Sequence, residues 1–220
     1  MNIRPILFAL SALTVAATIA CSRGDSDPTP TATASPSPTA TAGSATPSGT
    51  PLPITQGGTI PPIVAQVIGA VSGGQAGALA DLVAYQQVGC TTAQGVGGPP
   101  KCKPGQANGT MVRVFPTGVC ENEWVEAAQP RIADLVIASG PMYTAVKIKA
   151  PSPDPEPYWP KGESLIYFRG KAGTPGTYFV LSSDKIVRAH RICDLQDQAQ
   201  ADAFIQKLGG TEYLVPPALR

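Results

Sequence analysis

The sequence predicts an α+β fold: N-terminal helices packed on a curved antiparallel sheet, with a C-terminal helix and two disulfides. Three observations predict it. Apolar residues recur at helical spacing directly after Pro61-Pro62. Short apolar or alternating runs separated by Gly-, Ser- and Asp-bearing turns fill the stretch from Met142 to Cys193. Four of the five cysteines fall at Cys90 and beyond, within the same region.

Pro61-Pro62 sit well at a helix start, and Ile63, Val64, Val67, Ile68 and Val71 share one face until Gly73-Gly74 interrupts. A second helix is expected from about Gln75 to Gln86, with Leu79, Leu82 and Val83 inward. Thr110 to Phe115 reads as a strand, turned by Pro116 to Gly118, and Asn122 to Ala128 carries no decisive period. Pro130 opens a short helix whose Ile132, Leu135 and Val136 share a face, with Gly140 as its stop.

From Met142 to Lys149 the chain alternates, with Met142, Thr144, Val146 and Ile148 on one side and Tyr143, Ala145, Lys147 and Lys149 on the other. Glu163 to Arg169, Thr177 to Ser182 and Ile186 to Cys193 follow as strands of an antiparallel meander, joined through Gly170–Gly176 and Ser183-Asp184-Lys185. A last helix runs from about Leu195 to Leu208 with Ala199, Ala203, Phe204 and Leu208 apolar and Gly209 as its stop. The tail from Thr211 docks through Tyr213, Leu214 and Val215, or frays.

Ahead of this domain lies a different kind of sequence. Arg4 precedes an apolar run from Ile6 to Ala20, shorter than the roughly 20 residues a membrane span needs and typical of a secretory signal. Thr18-Ile19-Ala20-Cys21 resembles the lipobox of bacterial lipoproteins. That resemblance implies cleavage after residue 20, lipid attachment at Cys21, and an extracytoplasmic protein held to the cell membrane by lipid.

From Ser22 to Pro62 the chain is almost entirely Thr, Ser, Pro, Ala and Gly, and no charged residue stands between Asp27 and Asp81. Such a segment cannot bury enough surface to offset its ordering entropy. The expected layout is a signal peptide at 1–20, a disordered tether at 21–60 and one folded domain at 61–220. Extended, the tether reaches on the order of 100 Å. Asn108-Gly109-Thr110 matches a glycosylation pattern, and in a bacterial chain reads as a turn.

The net charge of +1 leaves no electrostatic footprint for nucleic acid. With Cys21 assigned to lipid, Cys90, Cys102, Cys120 and Cys193 remain, an even number that suggests two disulfides in an exported domain. Three pairings are possible. The turn-rich Gly95-Val96-Gly97-Gly98-Pro99-Pro100 favours Cys90–Cys102, which leaves Cys120–Cys193. Zinc wants closely spaced ligands, and His190 is the sole histidine, so no metal is expected.

The element order over roughly Ile63–Cys193, with the hairpin Phe179-Val180-Leu181-Ser182-Ser183-Asp184-Lys185-Ile186-Val187, resembles the cone-shaped ketosteroid-isomerase-like, nuclear-transport-factor-like superfamily. The resemblance implies a pocket between the sheet and the helices. It fixes no activity, because that architecture hosts enzymes, binding proteins and inert scaffolds.

Chemistry-bearing residues are few. Arg188 and His190 share a strand face with Ile186 and Ile192 and form a possible polar site, with Asp81 as a further possible base. Gly95 to Gly98 lacks the strand-to-helix setting of a nucleotide loop, and no G-x-S-x-G, H-E-x-x-H, EF-hand or Walker pattern occurs. The proline-stiffened loop Pro151–Pro160 ends in Tyr158 and Trp159, a recognition loop or a lid on the core. Trp124 and Tyr143 read as core or pocket wall. Two readings follow: a tethered, non-enzymatic module that binds a small molecule or an envelope protein without a cofactor, and an extracytoplasmic enzyme using a pocket between sheet and helices.

Overall fold

A computed structural model describes residues 59–218, apart from 155–156, 172–173, 194 and 196. The expected signal peptide, Cys21 and all of the 21–60 tether but its last two residues lie outside the described residues. In chain order the elements are α1 (Pro62–Ser72), α2 (Ala76–Ala80), β1 (Gln86–Gly89), β2 (Met111–Val119), β3 (Glu121–Val125), α3 (Ala128–Ala138), β4 (Ser139–Ile148), β5 (Ser164–Gly170), β6 (Thr177–Ser182), β7 (Lys185–Arg191), α4 (Gln198–Lys207) and β8 (Gly210–Val215).

The fold is α+β. Strands run in the order β1-β2-β7-β6-β5-β4-β8, with β3 also paired to β2. β4 to β7 form the expected antiparallel meander. β2 meets β7 in parallel, through Val119 opposite Arg191.

Both faces of the central strands are buried. Ile166, Phe168, Phe179, Leu181 and Ala189 pack with Val64, Val67, Leu79, Ile132 and Leu135 from the first three helices. Leu165, Tyr167, Tyr178 and Val180 pack with Ala201, Ile205 and Leu208 at α4. That is why Leu165-Ile166-Tyr167-Phe168 and Tyr178-Phe179-Val180-Leu181 are unbroken apolar runs: a strand covered on both sides has no solvent face to make polar.

Several expectations are corrected. The second helix is only five residues, because after Asp81 the backbone leaves to pair with β7. Ala84 N donates to Ile186 O at 2.9 Å, and Ile186 N donates to Leu82 O at 2.9 Å. A short Ala-Gly-Ala-Leu-Ala nucleus loses to these sheet partners. Asp81 itself is exposed, not a buried base.

Pro116 to Gly118 is not a turn. β2 runs through it, changing partner from β1 at Val114 to β3 at Phe115, and the chain reverses at Cys120 with φ 64°. Gly140 does not stop α3. The helix ends at extended Ser139, whose Oγ donates to Leu135 O at 2.8 Å. Gly140 instead lies in β4, where an added Cβ would come 2.9 Å from Gly170 O.

Two irregularities reset the strand faces. On β4, Met142 opposes Phe168 while Thr144 opposes Tyr167, so Tyr143 is an extra residue. Tyr143 therefore packs with Val146 and Ile148, and Ala145 falls on the opposite face in the helix-side core. On β7, Val180 opposes Arg188 while Leu181 opposes Ile186. Ile186 turns to the helix-side core, away from Arg188 and His190. α4 starts at Gln198, after an Asp197–Gln200 capping box, and buries Ala201 and Ile205. Ala199 and Ala203, two of the apolar positions noted for this helix, are exposed. The tail docks as β8, antiparallel to β4.

Cysteine pairs lie at disulfide distance at Cys90–Cys102, with Cα atoms 4.9 Å apart, and at Cys120–Cys193, 4.8 Å apart. The first closes the Gly-Pro loop. The second ties the β2–β3 reversal to the end of β7.

Candidate functional site

The β7 irregularity places Arg188 and His190 two residues apart on the face turned toward α4, opposite Val180 and Tyr178 of β6. They line a cleft of about 160 Å³ between this strand pair, α4 and the loop after β4. The cleft is on the α4 side of the sheet. The space between the sheet and α1–α3, where the cone resemblance implies a pocket, is filled by the larger core cluster.

Arg188 is held from three directions. Its Nη1 donates to Asp154 Oδ2 at 2.8 Å, and the two side chains are 6% and 5% exposed. Its guanidinium carbon lies 5.6 Å from the Trp159 ring centre and 5.3 Å from that of Tyr178. Lys161 supports Asp154 from behind, donating from Nζ to the Asp154 carbonyl at 2.8 Å. The loop packs down because Gly209 has φ +88° and no side chain; an added Cβ would come 2.5 Å from Pro153 Cδ.

His190 is buried against the backbone of Gly118, where an added Cβ would lie 2.9 Å from the ring. Burial and then the positive charge of Arg188 push its pKa down to about 4, against the opposing pull of the Thr117 and Cys120 carbonyls. At neutral pH the ring is uncharged. Its Nδ1 and Arg188 Nε are both buried without a hydrogen-bond partner. Tyr178 has its phenol pKa raised by burial, with Arg188 working the other way. It packs against His190 with ring centres 5.7 Å apart and against Phe204 at 5.1 Å.

The structure separates the two aromatics of the proline loop. Trp159 is 4% exposed and stacks on Trp124, with centres 5.1 Å apart and planes 3° from parallel. Tyr158 is 49% exposed. Trp159 is thus cleft wall and Tyr158 is surface. Cys120–Cys193 braces the same wall, since Asn122 and Ile192, both lining the cleft, stand two residues and one residue from its two ends. Tyr143 is core, and its hydroxyl donates to Asp202 at 2.9 Å.

Sequence reasoning missed Asp154, Tyr178, Phe204 and Lys207. The readable signal was chemical: an arginine and a histidine alternate with apolar residues in a strand whose neighbours are apolar on both faces. Such groups need buried partners, and Asp154 is one of the two acids the sequence puts in the stiff proline loop.

A second, larger groove of about 510 Å³ runs under the Cys90–Cys102 loop, floored by Val112, Val114, Trp124 and Val125. Trp124 Nε1 donates to Gly98 O at 2.9 Å, and Lys103 pairs with Glu126 across 2.6 Å at its rim. None of its lining side chains is a buried polar group lacking a partner.

Among the described residues no group of His, Cys, Asp and Glu could hold a metal ion, and no helix is long and apolar enough to cross a membrane. The disulfides fit maturation in an oxidising compartment. Compared with known families, curated proteins and solved structures, the chain matches none.

Proposed function

We propose that this is an exported bacterial envelope protein, anchored by lipid on Cys21, whose tethered domain binds a small molecule in the Arg188 cleft without transforming it. The Arg188–Asp154 pair carries the reading. A buried ion pair is poor value as a source of stability, since apolar replacements often do as well. This one lines an open cleft between aromatic walls, where a charge has a use.

Catalysis is the weaker reading. A general base works best with a pKa near the operating pH, and His190 is held at about 4. No carboxylate orients its Nδ1, as a triad requires. The order of helices and meander strands supports the cone-superfamily resemblance, with α4 and β8 as additions, but the filled helix-side core speaks against a pocket in that position.

Two experiments test the proposal. Fractionation of cells making the Cys21→Ala chain should find it released from the membrane fraction; equal membrane binding contradicts the anchor. A thermal-shift screen of envelope metabolites on the whole chain should find compounds that raise Tm, since a ligand bound only by the folded state stabilises it. Silence across all classes contradicts the binding role.

A further inference from the structure

We propose that the cleft takes a small carboxylate with an apolar body, the carboxylate paired with Arg188 and Lys207 and the body set against Ile192, Phe204 and Leu208. This rests on the cleft being the domain's binding site, and it specifies the ligand.

Charge is the first argument. Among the described residues that line the cleft, Arg188 and Lys207 are positive and Asp154 is negative; Asp154 is paired with Arg188, and Lys207 stands at the exposed end. His190, uncharged at neutral pH, changes nothing in that count. A recess with excess positive charge and low-dielectric walls concentrates anions.

Geometry is the second. An arginine fork matches a planar carboxylate. Arg188 commits Nη1 to Asp154 while its Nε, a donor, has no partner. A small movement of the guanidinium presents that donor to the cleft it lines. A cationic ligand is disfavoured for a structural reason: the aromatic faces of Trp159 and Tyr178 that would hold it already hold the guanidinium of Arg188.

Size is the third. The cleft is about 160 Å³. A cavity of about 150 Å³ accommodates benzene, so the whole ligand, carboxylate included, has roughly six to nine non-hydrogen atoms. Ile192, Phe204 and Leu208 make that end of the cleft apolar.

The test is calorimetric titration of the full chain with benzoate, hexanoate, benzamide and inorganic phosphate. Either carboxylate is expected to saturate the protein at one per chain and to bind at least tenfold more tightly than benzamide or phosphate. Lys207→Met, at an exposed position that leaves the fold intact, should weaken the carboxylate several-fold and leave benzamide unchanged. Benzamide binding as tightly as benzoate, or indifference of the carboxylate to Lys207→Met, overturns the anion assignment while the cleft remains a binding site. Phosphate binding more tightly than either acid overturns the apolar body. If none of the four binds, the carboxylate proposal fails; the binding role itself fails only if the wider thermal-shift screen is also silent.

Discussion

Arg188 Nη1 donates to Asp154 Oδ2 at 2.8 Å, joining strand β7 to a proline-stiffened loop 34 residues earlier. Both side chains are nearly inaccessible to solvent. Neither charge has water to fall back on: the guanidinium has Asp154 as its salt-bridge partner, and Lys161 stands 3.9 Å from the other carboxylate oxygen of Asp154.

Removing one partner should therefore be costly. Asp154→Ala leaves the guanidinium buried beside two aromatic rings with no counter-charge, and should destabilise by about 3–5 kcal/mol. Arg188→Met combined with Asp154→Leu should recover most of that loss, because it removes both desolvation penalties. Urea unfolding of the three chains checks this. A loss below about 1 kcal/mol for Asp154→Ala would mean that the pair is solvated.

His190 sets a pH dependence. Its folded pKa of about 4 lies below its ordinary value of 6.5, so between those limits the unfolded chain binds more protons than the folded one. Stability therefore rises with pH across that window, and is lost as pH falls from about 6.5 to about 4. The difference corresponds to about 3 kcal/mol. Burial first and then the charge of Arg188 set this value, with the carbonyls of Thr117 and Cys120 pulling the other way. His190→Gln should flatten the curve over that interval in urea unfolding at stepped pH; parallel curves for both chains would contradict the burial argument.

The two disulfides should differ in value. Cys120–Cys193 spans 73 residues and Cys90–Cys102 spans 12. In the chain-entropy model these loops are worth about 4 and about 3 kcal/mol. Cys193→Ser with Cys120→Ser should also loosen the cleft wall at Asn122 and Ile192, and so weaken ligand binding. Cys90→Ser with Cys102→Ser should open the Gly-Pro loop and leave the cleft intact. Unfolding and binding measured on both double variants separate the effects.

Adjacent aromatics should respond unequally. Trp159→Ala removes a buried indole stacked on Trp124 and the ring over Arg188, and should destabilise by about 3–5 kcal/mol. Tyr158→Ala, at an exposed position, should change stability by no more than about 0.5 kcal/mol. Thermal unfolding of the two chains is sufficient; comparable losses would place Tyr158 in the core.

The sequence made the elements legible where local physics decides them. β6 was read at Thr177–Ser182, its observed bounds, and the proline start and double-glycine end of α1 were plain. Gly95–Pro100 pointed to Cys90–Cys102 through a local turn, and the other pair followed. What was hidden is non-local. The stretch after Asp81 abandons a helix because Ile186, a hundred residues on, offers backbone partners. The face of Tyr143 and of Ile186 depends on where a bulge falls, and a period-two pattern does not carry that. Arg188 and His190 were visible as a pair, but Asp154 and Phe204 join them only through the packing of the loop and α4 onto the sheet.

His190 is the sole histidine of the chain, so its ring gives a unique NMR signal. Following that signal while a stabilising compound is titrated into the whole protein tests the binding cleft most directly. The ring should shift saturably, with one ligand per chain, and Lys207→Met should move the titration to higher concentration for an anionic compound. A compound that raises Tm while leaving the His190 ring unmoved binds elsewhere, and would contradict the assignment of this cleft.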